Sequence, residues 1–406
     1  MSMKDSVKLF FDNLEIYQND GDIDHKDNLY KSISNFLESR STRTATDVYE
    51  AFFSAYWIGI QGEENPFLEL IRKMKSFEEN AGKLLDKHRD HYIHSVYVFL
   101  LGLSIFAGNS KFREAFKTTI LTGSYPDAYD TRNEEFFYRW GLASLFHDIA
   151  YPLEITLRQA NKYISFIYDY SLGKQCKDAV IKMEIPCFED LIHLPKLKPA
   201  PKYELDFNKR YPKLTQFESS VDILAERLSI SFHLDFERMR KHLSEFFVTM
   251  RDEGFIDHGY YSALIMLKWY YSLIYKTNWN PAYFYAPVVD SSSAILLHNY
   301  YKHVLKKPPF NINAMNPISH PIAYLLILCD ELQDWSRTGF GEKDDDNLAP
   351  VDFNLSVSED KLAINYQFID GKEHSTFISK KLDTIHSLLD INEILNEGLL
   401  LTFIIV

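Results

Sequence analysis

The chain has 406 residues, of which 46% are apolar and 15% aromatic, so it can bury a sizeable core without disulfides. Its 57 acidic against 44 basic residues give a formal net charge of −13, which disfavours nucleic acid as a partner but permits a local basic pocket for one small anion. Cys176, Cys187 and Cys329 are too few and too scattered for a disulfide framework or a thiolate zinc cluster. With no signal-like apolar start and no apolar run near ~20 residues, the expectation is a cytoplasmic protein without a membrane partner.

Residues 1–84 carry apolar side chains at helical spacing, first Val7, Phe10, Phe11 and Leu14, later Tyr49, Phe52, Phe53, Tyr56 and Trp57. About three helices are expected here, broken at Asn19–Asp22 and again between Gly62 and Pro66. No ligand constellation occurs in this region, which therefore packs on the rest of the chain or makes a subunit contact, as in a homo-oligomer.

A helix is predicted from about Asp86 onward, running through Lys87, His88 and Arg89. On it His94, Val98, Leu101 and Ile105 recur at i, i+4, i+7 and i+11, which puts the imidazole on the face that must be buried. A lone histidine on such a face is more often a satisfied core residue than a ligand, so only a wider pattern changes the reading.

Phe136 to Glu154 reads as one central helix, apolar nearly all round, with Phe136, Trp140, Ala143 and His147 on one stripe and Pro152 at its end. An ionised Asp148 inside it costs several kcal/mol unless paired or metal-bound, and the bland alternative is a salt bridge to Arg139 or Arg158. Adjacent residues on a helix point about 100° apart, so His147 and Asp148 need ligand partners from other helices. Glu154 and Arg158 lie just beyond, near a pocket mouth.

Residues 171–220 are rich in proline and lysine, including Lys196, Lys198 and Lys202, and read as an irregular insertion. Helical spacing resumes at Ser220 and runs to Phe246. His258 then opens a strongly apolar helix in which Gly259, Ser262 and Ala263 let a neighbour approach closely. The next helix is expected to start at Asp290 as N-cap and to carry His298. The last core helix has Pro321 at its first position and runs to Arg337, with Asp330 after eight apolar residues and Asp334 one turn on as an acceptor for a ligating imidazole.

Residues 341–406 change character. Glu342–Asn347 reads as an exposed acidic linker, 351–357 and 362–368 alternate as a hairpin, a helix is expected near 381–395, and Leu399–Val406 reads as a buried strand.

Taken in order, His94, then His147-Asp148, then His258, His298 and Asp330 form the pattern H…HD…H…H…D. With its local contexts, above all Leu145-Phe146-His147-Asp148-Ile149-Ala150-Tyr151-Pro152 and Cys329-Asp330-Glu331-Leu332-Gln333, the pattern resembles the HD-domain superfamily of metal-dependent phosphohydrolases. The resemblance covers roughly 85–340. It implies an HD-domain helical bundle over 85–340; with the N-terminal helical extension over 1–84 and the small C-terminal α+β appendage over 341–406 read from their own patterning, the chain is expected to be mainly α.

It also implies an enzyme with two divalent ions, Mn, Fe or Mg, in which His94, His147, Asp148 and Asp330 hold one and Asp148 bridges to a second held by His258 and His298. His147 and Asp148 would be central to catalysis, through metal-activated water and in-line hydrolysis of a nucleotide or other small phosphate ester. Lys87, Arg89, Arg158, Lys302 and Arg337 are candidates for gripping phosphate. The proline-glycine signature of cyclic di-nucleotide phosphodiesterases and the glycine-histidine extension of deoxynucleotide triphosphohydrolases are both missing after HD, so neither substrate carries over. Two other readings use the same residues: a mixed-valent di-iron oxygenase of this fold, and a catalytically silent nucleotide sensor.

Overall fold

The computed structural model describes residues 1–16, 24–56, 66–81, 88–119, 132–172, 188–194, 217–277, 281–335, 339–340, 350–369 and 374–406. It is mainly helical, with one three-stranded sheet and a two-residue strand pair. The expected breaks at Asn19–Asp22 and Gly62, the linker Glu342–Asn347, and most of the 171–220 insertion lie outside the described residues, as do Cys176, Cys187, Lys87 and Arg337. The chain forms two compact units, Met1–Phe146 with Ile312–Val406, and His147–Asn311, so the division at His147 falls inside the segment read from sequence as 85–340.

The first unit is organised around the helix Tyr92–Gly108. Its run from Ser95 to Phe106 has no polar face, so it can be stable only when covered all round, and nearly every residue on it is buried. The helices Met3–Asp12, Thr42–Ala55, Arg132–Phe146 and Pro321–Leu332 supply the cover. Phe52, Phe99 and Phe137 meet edge-on or tilted, Phe106 stacks on Phe136 at 3.8 Å between centroids, and the Trp140 indole N–H donates to the Phe99 carbonyl at 2.8 Å. The helix starts later than expected. His88–Arg89 forms a short strand paired antiparallel with Gly339–Phe340, and Asp90 accepts the Ile93 N–H as the helix begins.

The C-terminal strands belong to this same unit. Asp352–Val357 and Lys361–Phe368 form the expected antiparallel hairpin, and Gly398–Ile405 adds in parallel to the second of them. Its paired side chain Leu401 is buried, whereas Leu400, Ile404 and Ile405 are exposed, so this is a sheet edge with one wet face rather than the buried strand expected. The helix between spans Ser375–Leu388, several residues earlier than its predicted range.

The second unit pairs the helix His258–Thr277 with Pro281–His298, flanked by Tyr151–Leu172, Ser220–Phe232 and Phe236–Glu253. The single helix expected from Ser220 to Phe246 is two, because His233 turns left-handed at φ 53° and Asp235 caps the next start through the Arg238 N–H. Asp290 does not begin a helix. It lies inside Pro281–His298, where its carboxylate accepts the buried Arg227 guanidinium at 2.6 and 2.9 Å. Arg227 thus occupies a carboxylate oxygen, Oδ1, that a cap would have offered to backbone N–H groups.

A methyl group at Gly102 would sit 2.1 Å from the Trp140 ring. Gly102→Ala is therefore expected to destabilise the protein by about 1–3 kcal/mol, the usual cost of overpacking, despite the helix propensity alanine adds. The check is a lower urea midpoint at unchanged m-value.

Candidate metal centre

Phe136–Glu154 is not one helix. The first helix ends at Phe146, residues 147–150 form a turn closed by Tyr151 N–H to the Asp148 carbonyl at 2.8 Å, and a new helix spans Tyr151–Leu172. Pro152 therefore sits in the first turn of a helix and does not end one, which suits a residue without an N–H to donate. The turn is tied down by Ser262, whose hydroxyl accepts the Ala150 N–H at 3.0 Å. As a result His147 and Asp148 project from a tight turn rather than from a helical surface.

In the second unit, ligand atoms of Asp148, His258 and His298 all lie within 4.8 Å of one another, and all three residues are buried. His258 Nε2 is 3.0 Å from Asp148 Oδ1 and 3.1 Å from His298 Nε2, and His298 Nε2 is 3.8 Å from the same carboxylate oxygen. His147 Nε2 is 3.1 Å from Asp148 Oδ2, and its ring stands edge-on to His298 at 4.9 Å. Gly259 makes this crossing possible, because a side chain there would meet the Ile295 carbonyl at 2.8 Å and the His298 ring at 3.1 Å. The small residue read from sequence as permitting close approach does so against the helix that carries His298.

The proton positions decide what such a group can hold. His258 Nδ1–H donates to Glu154 Oε2 at 2.7 Å, and His298 Nδ1–H donates to the Ile295 carbonyl at 2.5 Å. Each ring therefore turns an Nε2 lone pair inward, towards a carboxylate oxygen. Three ligand atoms converge among buried side chains, and an arrangement of that kind is stabilised by a cation. In the metal-free state a proton serves. Burial pulls the His258 imidazolium down, but hydrogen bonds and charge from Asp148 and Glu154 outweigh it and hold that proton up to about 10. Glu154 is itself raised by burial and lowered further by His258, and stays below the usual carboxylate range.

In the first unit the same logic applies to His94. Gln333 Nε2 donates to the Trp335 carbonyl at 2.7 Å, which turns Oε1 towards His94 to accept its Nδ1–H. His94 Nε2 then faces Asp330 Oδ1 at 3.0 Å. Asp334, expected to support an imidazole, pairs with Lys381 at 2.5 Å and lies beyond the helix end at Leu332.

Of the expected phosphate-gripping residues, Arg158 is about half exposed with its guanidinium 3.7 Å from Glu154, and Lys302 is buried. The Arg89 side chain, like Lys87 and Arg337, lies outside the described set. Arg139 pairs with Glu135 at 2.5 Å within the first unit, and Arg158 lies 3.7 Å from Glu154 within the second. Sequence reading missed Glu154 and Gln333 as imidazole partners, and also Asp257, a buried carboxyl raised by burial to about 6 that accepts from Gly259, Asn299 and Tyr301. Their one signal was adjacency to a candidate ligand, which does not say which way a side chain turns.

Fold and site together define a mainly helical protein with buried histidine and aspartate groups that could hold metal ions. Comparison with family models, with curated proteins and with solved structures finds no match to this chain. Among the described residues no single helix is long and apolar enough to cross a bilayer.

Two outcomes are expected of the full chain. A divalent ion at a hundred times its Kd raises stability by about 2.7 kcal/mol, seen as a chelator-reversible rise in Tm that Asp148→Ala abolishes. Uptake at pH 7 also releases about one proton, since the His258 proton must leave, and affinity therefore weakens as pH is lowered. Calorimetry in buffers of different ionisation enthalpy measures the release.

Proposed function

We propose that this chain is a metal-dependent phosphohydrolase of the HD type, acting on a nucleotide or another small phosphate ester through two divalent ions. The observation that supports it most is the inward convergence of Asp148, His258 and His298 with their outward ring nitrogens already hydrogen-bonded. On this reading the six residues His94, His147, Asp148, His258, His298 and Asp330 serve two ions, in the order the resemblance implies. The resemblance implies manganese, iron or magnesium; carboxylate oxygens suit manganese and magnesium, and imidazole nitrogens suit iron.

Such ions supply Lewis-acid stabilisation of charge on phosphoryl oxygens and lower the pKa of a water. The chain's own residues do the rest. Asp148 offers one carboxylate oxygen to each neighbouring histidine group, so its position sets the spacing of the centre. Glu154 keeps the proton of His258 on Nδ1. Arg158, half exposed beside Glu154, is a candidate to meet an incoming anion. The buried walls exclude bulk water and so strengthen each of these electrostatic contacts.

The test is metal analysis of purified protein followed by phosphate release across nucleotides and phosphomonoesters under Mn, Fe and Mg. Activity is expected with two ions per chain. Asp148→Ala should lose it by more than about a hundredfold, and His94→Ala or Asp330→Ala should drop the stoichiometry towards one. A chain that binds two irons, gives a mixed-valent EPR signal after air oxidation and releases no phosphate would instead be an oxygenase. Retention of metal and activity by Asp148→Ala would sink both readings.

A further inference from the structure

We propose that Asn299 is a positioning residue: its side-chain amide, donated at once to Glu154 and Asp257, clasps the end of the His298 helix to the start of the His258 helix and so holds the two imidazoles within reach of one ion. The inference deepens the metal part of the function proposed above and rests on that part alone. All the residues concerned lie in the second unit.

His258 is the first residue of His258–Thr277 and His298 the last of Pro281–His298. A helix terminus leaves its outermost backbone groups without partners in the helix and frays unless something outside holds it. The two candidate ligands therefore stand where their own helices fix them least. The chain supplies a fastening at that point. Asp257 Oδ1 accepts the Gly259 N–H at 2.9 Å and the Tyr260 N–H at 3.4 Å, which caps the His258 helix. Its Oδ2 accepts the Tyr301 N–H at 3.2 Å, just past the end of the other helix.

Asn299, the residue after His298, completes the fastening through its side chain. Its Nδ2 lies 3.0 Å from Asp257 Oδ1 and 3.2 Å from Glu154 Oε2. Of the two ends of an amide only the nitrogen has hydrogens to give, one for each carboxylate, so these neighbours fix which way the amide faces. Glu154 Oε2 also accepts the His258 backbone N–H at 3.2 Å and its Nδ1–H at 2.7 Å. The amide nitrogen and His258 Nδ1, 3.0 Å apart, are thus two donors sharing one acceptor. Without the amide, two buried carboxylates would face each other across the space it fills, and the low-dielectric surroundings would drive them apart. Moving Glu154 turns the His258 ring, and moving Asp257 releases the helix start that carries it. Either shift takes His258 Nε2 off its 3.1 Å approach to His298 Nε2.

The experiment strips the full chain of metal with a chelator and titrates it with Co²⁺ at constant neutral pH, following ligand-field absorption and heat. The absorption step that disappears in His258→Ala identifies the ion held by this group. Asn299→Asp is the decisive variant, because charge and position predict opposite signs for it. An added carboxylate attracts a cation, so an effect through charge alone would tighten that step; a lost donor among three carboxylates should weaken it by about 10–100-fold. Asn299→Ala should weaken it in the same range and change the ligand-field spectrum of the ion that still binds, since its nitrogen donors have moved. Far-UV circular dichroism of the metal-free variants checks that they fold, and Asn299→Ala serves if Asn299→Asp does not.

The proposal is overturned if Asn299→Asp binds as tightly as the wild type or more tightly, if Asn299→Ala leaves affinity and spectrum unchanged, or if only the melting temperature drops. A wild type that takes up no Co²⁺, or a His258→Ala variant that loses no step, overturns the metal centre and this inference with it. Weakening of that step in both variants, beside a wild type that releases no phosphate, refutes the phosphohydrolase reading and supports the role of Asn299.

Discussion

Three ligand atoms brought within reach of one another are the constraint from which the rest follows. Asp148 Oδ1 and the Nε2 atoms of His258 and His298 are brought together among buried residues, and each ring has its other nitrogen engaged. Left without a positive charge, this arrangement would repel itself at short range in a low-dielectric surrounding. The fold around it is what makes that expensive geometry hold. Ser262 anchors the 147–150 turn, Gly259 lets the histidine-bearing helices cross closely, and Asp257 fastens the backbone at Gly259 and Tyr301.

The same economy of means recurs at His94, where Gln333 is oriented by the Trp335 carbonyl before it receives the imidazole proton. In both units an outer residue chooses the tautomer and the inner nitrogen is thereby committed. A helix alone could not do this, since it sets where a histidine emerges but not which nitrogen carries the proton.

Much of this was legible from residue order. Unbroken apolar runs mark Tyr92–Gly108 and Pro321–Leu332 as helices that must be covered, and they are. Period-two alternation marked the hairpin of Asp352–Val357 and Lys361–Phe368. The misreadings share one cause. From sequence Pro152 reads as a stop and Asp290 as a start, although both residue types are tolerated or favoured in more than one place along a helix. Which place is used depends on a partner far away in sequence, Ser262 for the turn before Pro152 and Arg227 for Asp290.

By itself the sequence determined the chemical kinds available: imidazoles and carboxylates set singly into apolar helices, where burial would make each costly to leave alone. It also determined the helical character of most of the chain, because periodicity is a local property. Only the tertiary structure decided that Glu154 and Gln333, rather than Asp334, receive the imidazole protons, and that Asp148 issues from a turn. The reason is physical. A side chain's direction is fixed by the packing of segments remote in sequence, and proton placement follows from that direction.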